Sequence, residues 1–423
     1  MAVEAVGTKR GPALLLFGVW VITLGVTFLD RFGFPLGGEQ FVPFCLFTTY
    51  FGMFVIVFSG FAIAETGRLV LYLLTAAMAV LTALVATLVS TNSFSLFSLE
   101  YLLIIYAPFV FIVDIDDDLF KRSVNAWQIC MLPIALMGLY QFITQDRYDF
   151  LKDHFGQYMI TNFNTRATLG GESALRRSDG MFLLEPSGLS QFCGIALALE
   201  LIYFKKLWRI GIYALGMVAA ASLSGVVMLA IFLGVYAWRY KRVLHVAIAV
   251  GFMVAGMWAY QDNEVIQTLV NRRGELSSTN TSGYQRFVAP INETVYLIGD
   301  LGTLFTGIGP GNSSGERAAR LLNVGQDSLG LMWPPLKLVT EYGLLALFPY
   351  GLLIWRCFFF RSRSYTLSTM FLVMYVFMSG GLLTPQVTYV LLLLLTLFPR
   401  QSEALEMADQ WDTILVPGAS PKL

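Results

Sequence analysis

The sequence contains few charged residues and few of the residue types that bind metals or form disulfides. Charged residues make up 13% of the chain, whereas a soluble domain carries about 25%. There are only 2 histidines, and the 4 cysteines all fall in apolar runs without paired spacing. These shortages exclude a surface that faces water on every side, and they argue against a disulfide framework or a cysteine metal site. The net charge of zero argues against a nucleic-acid partner.

Long apolar runs replace the missing polar surface. Hydrophobic residues make up 56% of the chain, and repeated apolar runs of roughly 18 residues are typical of transmembrane helices. The sequence therefore predicts an all-α polytopic membrane protein, a single integral membrane domain over residues 1–423 with about 12 transmembrane helices. The predicted spans are 12–29, 41–64, 68–90, 98–113, 126–143, 186–204, 208–222, 224–240, 243–260, 336–357, 365–380 and 383–398.

Basic residues at the short loops predict the orientation of these spans. The positive-inside rule assigns the side that carries them to the cytoplasm. The two large polar loops, 144–185 and 261–335, are then periplasmic, and the tail 400–423 is cytoplasmic. The first apolar run follows Lys9-Arg10 without a small-residue cleavage site, so we interpret it as a span. The basic residues used are Lys9, Arg10, Arg68, Lys121, Arg122, Lys205, Lys206, Arg209, Arg239, Lys241, Arg242, Arg356, Arg361, Arg363 and Arg400.

The stretch 208–240 has two interpretations. It is either two short spans joined at Ser222-Leu223-Ser224-Gly225, or one long tilted helix. One helix would place Lys205-Lys206 and Arg239 on opposite sides of the membrane, which the charge rule disfavours. We therefore predict two spans.

The first polar loop contains two adjacent arginines and ends in a carboxylate. Neighbouring guanidinium groups such as Arg176 and Arg177 repel each other unless an anion lies between them, and their planar fork suits phosphate oxygens. Glu185 stands just before Pro186, a favourable first residue for a helix. We predict that Arg176 and Arg177 bind an anion, with surface solvation as the alternative. Glu185 is a candidate catalytic residue, with a favourable interaction with the helix dipole as the alternative.

The second polar loop contains Arg286 and a glycine-rich turn. Arg286 follows a run of Ser, Thr, Asn and Gly, which is typical of loops. Gly307, Gly309 and Gly311 allow the backbone to approach another group closely. We predict that Arg286 binds the anion and that the glycines form a loop supporting the substrate. A tight turn without a ligand is the alternative.

Lys337 and Glu341 lie four residues apart at the outer end of the tenth predicted span. Ionisable residues within a span are functional by default. We therefore predict that Lys337 binds the anion and that Glu341 is catalytic, and a structural ion pair is the alternative. The acidic run at 114–118 is interpreted instead as a solvated cap beside Lys121-Arg122. A metal-dependent sugar-nucleotide site is disfavoured there because no second carboxylate cluster accompanies the run.

Several motifs occur in a characteristic order along residues 90–400. They are Arg177-x-x-Gly180-x-Phe182-x-x-x-Pro186, the Ser222-x-Ser224-Gly225 junction, Ser282-Gly283 with Arg286, the Gly307-x-Gly309-x-Gly311 turn, and Glu341-x-Gly343. This order resembles the bacterial O-antigen polymerase and ligase family. The resemblance implies a multi-pass glycosyltransferase of the inner membrane with its active site facing the periplasm. It also implies that arginines on the outer side hold a diphosphate, and that neither a metal nor another cofactor is needed.

Two departures from the family pattern favour a polymerase over a ligase. Ligases usually have an arginine at the Ser-x-Ser junction, whereas Gly225 follows Ser224 here. They also have a histidine about nine residues before the Glu-x-Gly motif, where this chain has Met332. The resemblance thus implies a polysaccharide polymerase that joins undecaprenyl-diphosphate-linked oligosaccharide repeat units into an exopolysaccharide or O-antigen. Its expected partners are the lipid-linked oligosaccharide and membrane lipid, with a chain-length-regulating export protein as a further candidate.

Three other classes of protein remain open. The first is a ligase-type glycan transferase of the same family. The second is a lipid-linked oligosaccharide flippase or transporter, which would more often have charges deep in several spans and two halves of matching pattern. The third is a structural subunit of an export complex, which would leave the paired arginines unexplained.

Overall fold

The computed structural model describes residues 11–37, 40–90, 95–145, 149–160, 176–240, 301–313, 333–378 and 382–400, together with Tyr284, Val288, Ala289 and Ile291. This part of the chain is mostly helical. Four of its helices are long and apolar enough to cross a membrane, which is compatible with a helical membrane protein. They are Thr66–Leu88, Asp117–Thr144, Pro186–Phe204 and Pro334–Phe359. Shorter apolar helices of 10–17 residues pack around them.

The first half of the chain forms helices that alternate with short strands. Helices α1 and α2 pack closely because Gly18 and Gly52 face each other: the Cβ position of each lies 2.7 Å from the carbonyl oxygen of the other. Helix α5 begins at Asp117, since Asp116 accepts a hydrogen bond from the Leu119 amide (2.7 Å) and caps it. The elements are α1 (Pro12–Phe28), β1 (Gly33–Gly37), β2 (Gln40–Pro43), α2 (Phe44–Phe58), β3 (Ala62–Ala64), α3 (Thr66–Ser90), α4 (Leu96–Tyr106), β4 (Phe111–Val113), α5 (Asp117–Thr144) and α6 (Phe150–Phe155).

The second half of the described chain is helical, and three of its helices continue into a π-helical turn. Helix α7 begins at Pro186, as predicted, because proline lacks the amide that would be unpaired at that position. The elements are α7 (Pro186–Leu199, π turn Glu200–Phe204), α8 (Leu207–Ala220), α9 (Leu223–Tyr240), α10 (Leu301–Thr306), α11 (Pro334–Phe359), α12 (Tyr365–Val373, π turn Met374–Met378) and α13 (Pro385–Leu391, π turn Leu392–Thr396).

Each predicted span contains helical residues, apart from 243–260, which is outside the described residues. Helix α5 begins at Asp117, well before its predicted span 126–143. The stretch 208–240 forms two helices, since the chain reverses at Ala221, whose φ is 43°. Two predicted spans were drawn too long. Residues 62–64 and 111–113 pair as antiparallel strands (β3 with β4) and do not continue α2 and α4. Hydropathy alone does not distinguish a short apolar strand from a helix end.

The helix ends gather at two opposite ends of the molecule, which we call the loop end and the basic end. At the loop end, the amide of Leu184 donates to Asp30 (2.9 Å) and the amide of Ser178 donates to the carbonyl of Ala219 (3.1 Å). The loop end therefore contains the end of α1, the end of α8 and the start of α7. The starts of α11 and α13 lie there too, through contacts described below.

The basic end is held by buried and half-buried ion pairs. Arg356 of α11 donates to both carboxylate oxygens of Glu65 (2.8 and 2.6 Å), and these bonds lower the pKa of Glu65 to about 2. Arg209 pairs with buried Glu200 (3.1 Å). Asp117 of the acidic run pairs with Arg363. The acidic run thus caps α5 and pairs with arginines in this structure.

Candidate functional site

Helix α11 is broken near the loop end. Gly343 has φ 71° and ψ 177°, which lie outside the helical region, so the helical hydrogen-bond ladder is interrupted there. A break inside an apolar helix leaves carbonyl groups that need partners, since hydrocarbon offers none. The carbonyls of Thr340 and Glu341 accept hydrogen bonds from the amides of Ile308 (2.8 Å) and Gly309 (3.0 Å). The break is therefore stabilised by the glycine-rich turn.

The glycine-rich turn packs against protein on two sides. All three of its glycines have positive φ, between 72° and 95°. A Cβ at Gly307 would lie 2.5 Å from the carbonyl carbon of Glu341, and one at Gly311 would lie 2.7 Å from the Cβ of Ser95. The carbonyl of Pro310 also accepts the Ser95 amide (2.9 Å). The close approach predicted from the glycines is thus made to α11 and to the start of α4.

Glu341 is buried at this break, with 1% of its surface exposed. Its Oε1 accepts a hydrogen bond from the Ser313 hydroxyl (2.5 Å), and the Lys337 ammonium lies 3.9 Å from the same oxygen. Within the described part of the chain, no donor reaches Oε2, although that oxygen is fully buried. A buried carboxylate oxygen without a partner is costly. The structure thus joins three predicted features: Lys337, Glu341 and the glycine turn.

Replacing Gly343 by alanine is expected to destabilise this arrangement. An alanine Cβ would lie 2.0 Å from the carbonyl oxygen of Phe305, and an L-residue at positive φ is strained. Strain of this kind costs about 1–3 kcal/mol before the clash is counted. We expect Gly343→Ala to lower the midpoint of thermal unfolding of the detergent-purified protein and the yield of monodisperse protein.

Gly351→Ala is the matched control in the same helix. No atom lies within 4 Å of the Cβ position of Gly351, so alanine fits there. Its higher helix propensity is worth about 0.5–1 kcal/mol in a helix interior. An unfolding midpoint for Gly343→Ala equal to that of Gly351→Ala would contradict the description of the break.

A second polar group, the Arg31 cluster, lies at the end of α1. It consists of Arg31, Asp149, Asp179 and the carbonyl of Met181. The buried guanidinium of Arg31 donates to Asp149 (2.9 Å) and to the Met181 carbonyl (2.7 Å), and it lies 3.7 Å from Asp179. Asp179 also accepts the amide of Met181 and the side chain of Gln141 (2.8 and 3.1 Å). The cluster fixes the last part of the first polar loop against α1 and α5.

Asp30, next to Arg31, is a buried carboxyl with one oxygen unpaired. It is 4% exposed, and its Oδ2 accepts the Leu184 amide. Within the described residues, Oδ1 has no hydrogen-bond partner. Burial raises the pKa of Asp30 to about 7; the Leu184 hydrogen bond and the charge of Arg31 oppose the rise, and the charge of Glu185 adds to it. Sequence reasoning missed this residue.

Glu185 occupies the position before α7 without capping it. Its side chain accepts no hydrogen bond from the first amides of the helix; its Oε2 accepts the hydroxyl of Ser187 instead (2.7 Å). Capping therefore does not account for this carboxylate. The Ser222-x-Ser224 junction lies against the same turn of α7, where Ser224 donates to the Ser187 carbonyl (3.5 Å). Glu185 is half-buried, and its neighbours Leu184 and Ser187 contact the end of α1 and the start of α9. Asp30, the Arg31 cluster and Glu185 are together called the Asp30 group.

The facing ends of α12 and α13 contact both groups. Gln386 donates to the carbonyl of Asp30 (3.3 Å), and Gln191 of α7 donates to the carbonyl of Met378 (3.4 Å). On the other side, Phe377 packs edge-to-face on Trp333 at the start of α11, with 4.9 Å between ring centroids. The Asp30 group and the Glu341 group therefore flank the facing ends of α12 and α13 at the loop end.

The predicted arginines are only partly described. Arg176 and Arg177 are half-buried at the start of the described segment 176–240, and the amide of Arg176 donates to Gln145 (2.8 Å). Arg286 lies outside the described residues. The structure thus brings Lys337, Glu341 and the glycine turn into one group, places Glu185 in the other, and adds Asp30 and Arg31.

Comparisons with known proteins identify no relative. No family model, no curated protein and no solved structure matches the chain.

Proposed function

We propose that this protein is a membrane glycosyltransferase that polymerises lipid-linked oligosaccharides. Its donor is a growing glycan on undecaprenyl diphosphate, and its acceptor is a single repeat unit on the same lipid. The product is an exopolysaccharide or O-antigen chain. The resemblance to the O-antigen polymerase and ligase family implies that the reaction needs no metal. It needs no nucleotide sugar, because the lipid-linked diphosphate is itself a good leaving group.

The observation that carries this proposal is the buried Glu341 carboxylate beside Lys337. A carboxylate oxygen without a protein donor is a suitable proton acceptor for a sugar hydroxyl. Lys337 supplies a positive charge 3.9 Å from the same carboxylate. Both stand at a break in an apolar helix, and broken helices in membrane proteins are tolerated where they are buried in protein or line a cavity. This combination supports a reaction on a polar, anionic substrate at the edge of the apolar helices.

In the proposed step, the acceptor hydroxyl attacks the anomeric carbon of the donor. A new C–O bond forms as the bond between that carbon and the diphosphate oxygen breaks. The electron pair of the broken bond leaves with the diphosphate, and the hydroxyl proton passes to Glu341 or Glu185. The protein's contribution is to hold both sugars in line and to stabilise the charge on the diphosphate.

Four basic residues are proposed to stabilise that charge. Lys337 lies in the Glu341 group, and Arg176 and Arg177 precede the segment fixed by the Arg31 cluster. Arg286 completes the set from the second polar loop. Arginine suits this role because its fork donates two parallel hydrogen bonds to phosphate oxygens. The glycine turn supports the substrate indirectly, by holding the α11 break.

The proposed orientation places the loop end in the periplasm of a bacterial inner membrane. The basic residues near Asp117 and Lys241 then face the cytoplasm. A reporter fused after Gln157 or Asn280 is expected to behave as extracytoplasmic, and one fused after Asp117 or Lys241 as cytoplasmic. Paired alkaline phosphatase and green fluorescent protein fusions measure this. A cytoplasmic signal from Gln157 or Asn280 would overturn both the orientation and the site.

The experiment that tests the function is analysis of lipid-linked intermediates in a strain lacking the gene. Loss of a polymerase leaves single repeat units on the lipid, accessible from the periplasmic side. Loss of a flippase leaves them facing the cytoplasm, and loss of a ligase-type transferase leaves long chains on the lipid. Single repeats facing outward support the proposal, and either of the other results would replace it.

A further inference from the structure

We propose that Asp30 and Glu185 form a carboxyl pair in which Asp30 keeps a proton, so that the negative charge of the pair rests on Glu185. Asp30 is then a positioning residue that acts through Glu185, the second of the two candidate proton acceptors. This inference rests on the proposed function. It names the role of a residue that no sequence motif indicates.

Asp30 is buried in a place that favours its protonated form. One carboxyl oxygen accepts the Leu184 amide at 2.9 Å, and the other has no partner within the described residues. An ionised carboxylate in such a place would lack most of the hydrogen bonds that it has in water, whereas the neutral acid loses far less. The geometry thus favours a protonated Asp30.

The adjacent cation, Arg31, makes its hydrogen bonds to groups other than Asp30. The guanidinium of Arg31 donates to Asp149 and to the Met181 carbonyl, and it lies 3.7 Å from Asp179. Arg31 therefore lowers the pKa of Asp30 only through its charge, and burial outweighs it. An arginine whose donors already serve other groups does not provide the bidentate pairing that would hold Asp30 ionised.

The backbone links the carboxyls of Asp30 and Glu185. Leu184, whose amide binds Asp30, directly precedes Glu185, and the charge of Glu185 acts on Asp30. When one carboxyl of an interacting pair keeps its proton, the other is freed from like-charge repulsion. The hydroxyl of Ser187 then donates to the charged member. The titratable and charged groups around Asp30 in the described chain are Arg31, Cys45 of α2, Asp149, Asp179 and Glu185.

The first readout is the infrared C=O band of protonated carboxylic acid in the full-length protein in detergent. We expect a band in the wild type that disappears as the pH rises through about 7 and is absent from Asp30→Asn. Because the charge of Glu185 raises the pKa of Asp30, Glu185→Gln should move this titration to lower pH. Asp118→Asn, in an exposed ion pair at the basic end, is the control and should leave the band unchanged.

The second readout is the pH profile of polymer formation in membrane vesicles supplied with the lipid-linked repeat from the gene-deletion strain. Above about pH 7 the wild type ionises Asp30 and places a second charge beside Glu185, so its rate should fall. The rate ratio between about pH 8.5 and about pH 6 should therefore be several-fold higher in Asp30→Asn than in the wild type. A merely structural role of Asp30 would lower both rates equally.

The outcomes separate this inference from the proposed function. An unchanged titration in Glu185→Gln, or an Asp30→Asn profile of wild-type shape, would overturn the carboxyl pair and leave the polymerase proposal standing. Wild-type polymer from Glu185→Gln would also overturn it, because the pair would then have no catalytic member. Vesicles that form polymer without this protein would overturn the function itself.

Discussion

Replacing Glu341 by glutamine is expected to reduce polymer formation by about 10²–10⁴-fold, the usual contribution of a general base. Glutamine keeps an oxygen that can accept the Ser313 hydroxyl, so the packing at the break of α11 should be preserved. It removes the basic oxygen that is buried without a donor among the described residues. The variant should therefore be produced and purified like the wild type, while single lipid-linked repeats accumulate in cells.

Glu100→Gln is the matched control for this experiment. Glu100 lies near the start of α4, at the same end of the molecule, and its side chain is exposed. Polymer yield in this variant should equal that of the wild type. Wild-type polymer from Glu341→Gln, with normal amounts of protein, would leave Glu341 with a structural role in the break and would move the proton acceptor to Glu185.

Replacing Arg286 by lysine or by alanine is expected to abolish most polymer. Arginine can donate two parallel hydrogen bonds to the diphosphate. Lysine cannot, because its ammonium is a single point charge. Loss of one preorganised charge contact costs about 3 kcal/mol, or roughly a hundredfold in rate. Both variants should insert normally and accumulate single lipid-linked repeats. This prediction depends on the sequence motif, because Arg286 lies outside the described residues.

Arg317→Ala is the control for Arg286, since the sequence places Arg317 on a solvated helix face. Polymer and lipid-linked repeats are measured side by side in the three variants. Full activity in Arg286→Lys would remove Arg286 from the site. Equal loss of polymer in Arg317→Ala would show that the effect is not specific to Arg286.

The helical organisation was predictable because it depends on local signals. Apolar runs located the helices, and Pro186 and the junction at Ser222 located a start and a reversal. The short strands β3 and β4 were not predictable, since their few apolar residues resemble the end of a helix. Their pairing joins residues 62–64 with 111–113, and that contact leaves no local trace in the sequence.

The candidate site was predictable where its residues are close in sequence. Lys337 and Glu341 are one helical turn apart, and the glycine turn precedes them by a few tens of residues. Asp30 and Arg31 were missed because their partners, Leu184 and Met181, lie about 150 residues away. The available signal was a pair of adjacent ionisable residues directly after the first apolar run, on the side predicted to face the polar loops.

The two groups of site residues also could not be placed relative to each other from the sequence. Their common neighbours are the facing ends of α12 and α13, where Gln386 contacts Asp30 and Phe377 contacts Trp333. Helix α12 with its π turn spans residues 365–378, about 21 Å at 1.5 Å per residue. That is shorter than a ~30 Å hydrocarbon core. The contacts that the facing ends of α12 and α13 make with both groups are tertiary features, which hydropathy does not reveal.

Under the proposed function, this protein itself joins lipid-linked repeat units. The most direct measurement uses the full-length protein reconstituted in lipid vesicles with the lipid-linked repeat extracted from the gene-deletion strain, in the presence of a metal chelator and without nucleotide sugars. We expect a ladder of products that grows by one repeat unit per step. The Glu341→Gln variant should fail to make this ladder. Repeat units that remain single in the presence of folded wild-type protein, or that cross the vesicle membrane without being joined, would contradict the proposed function.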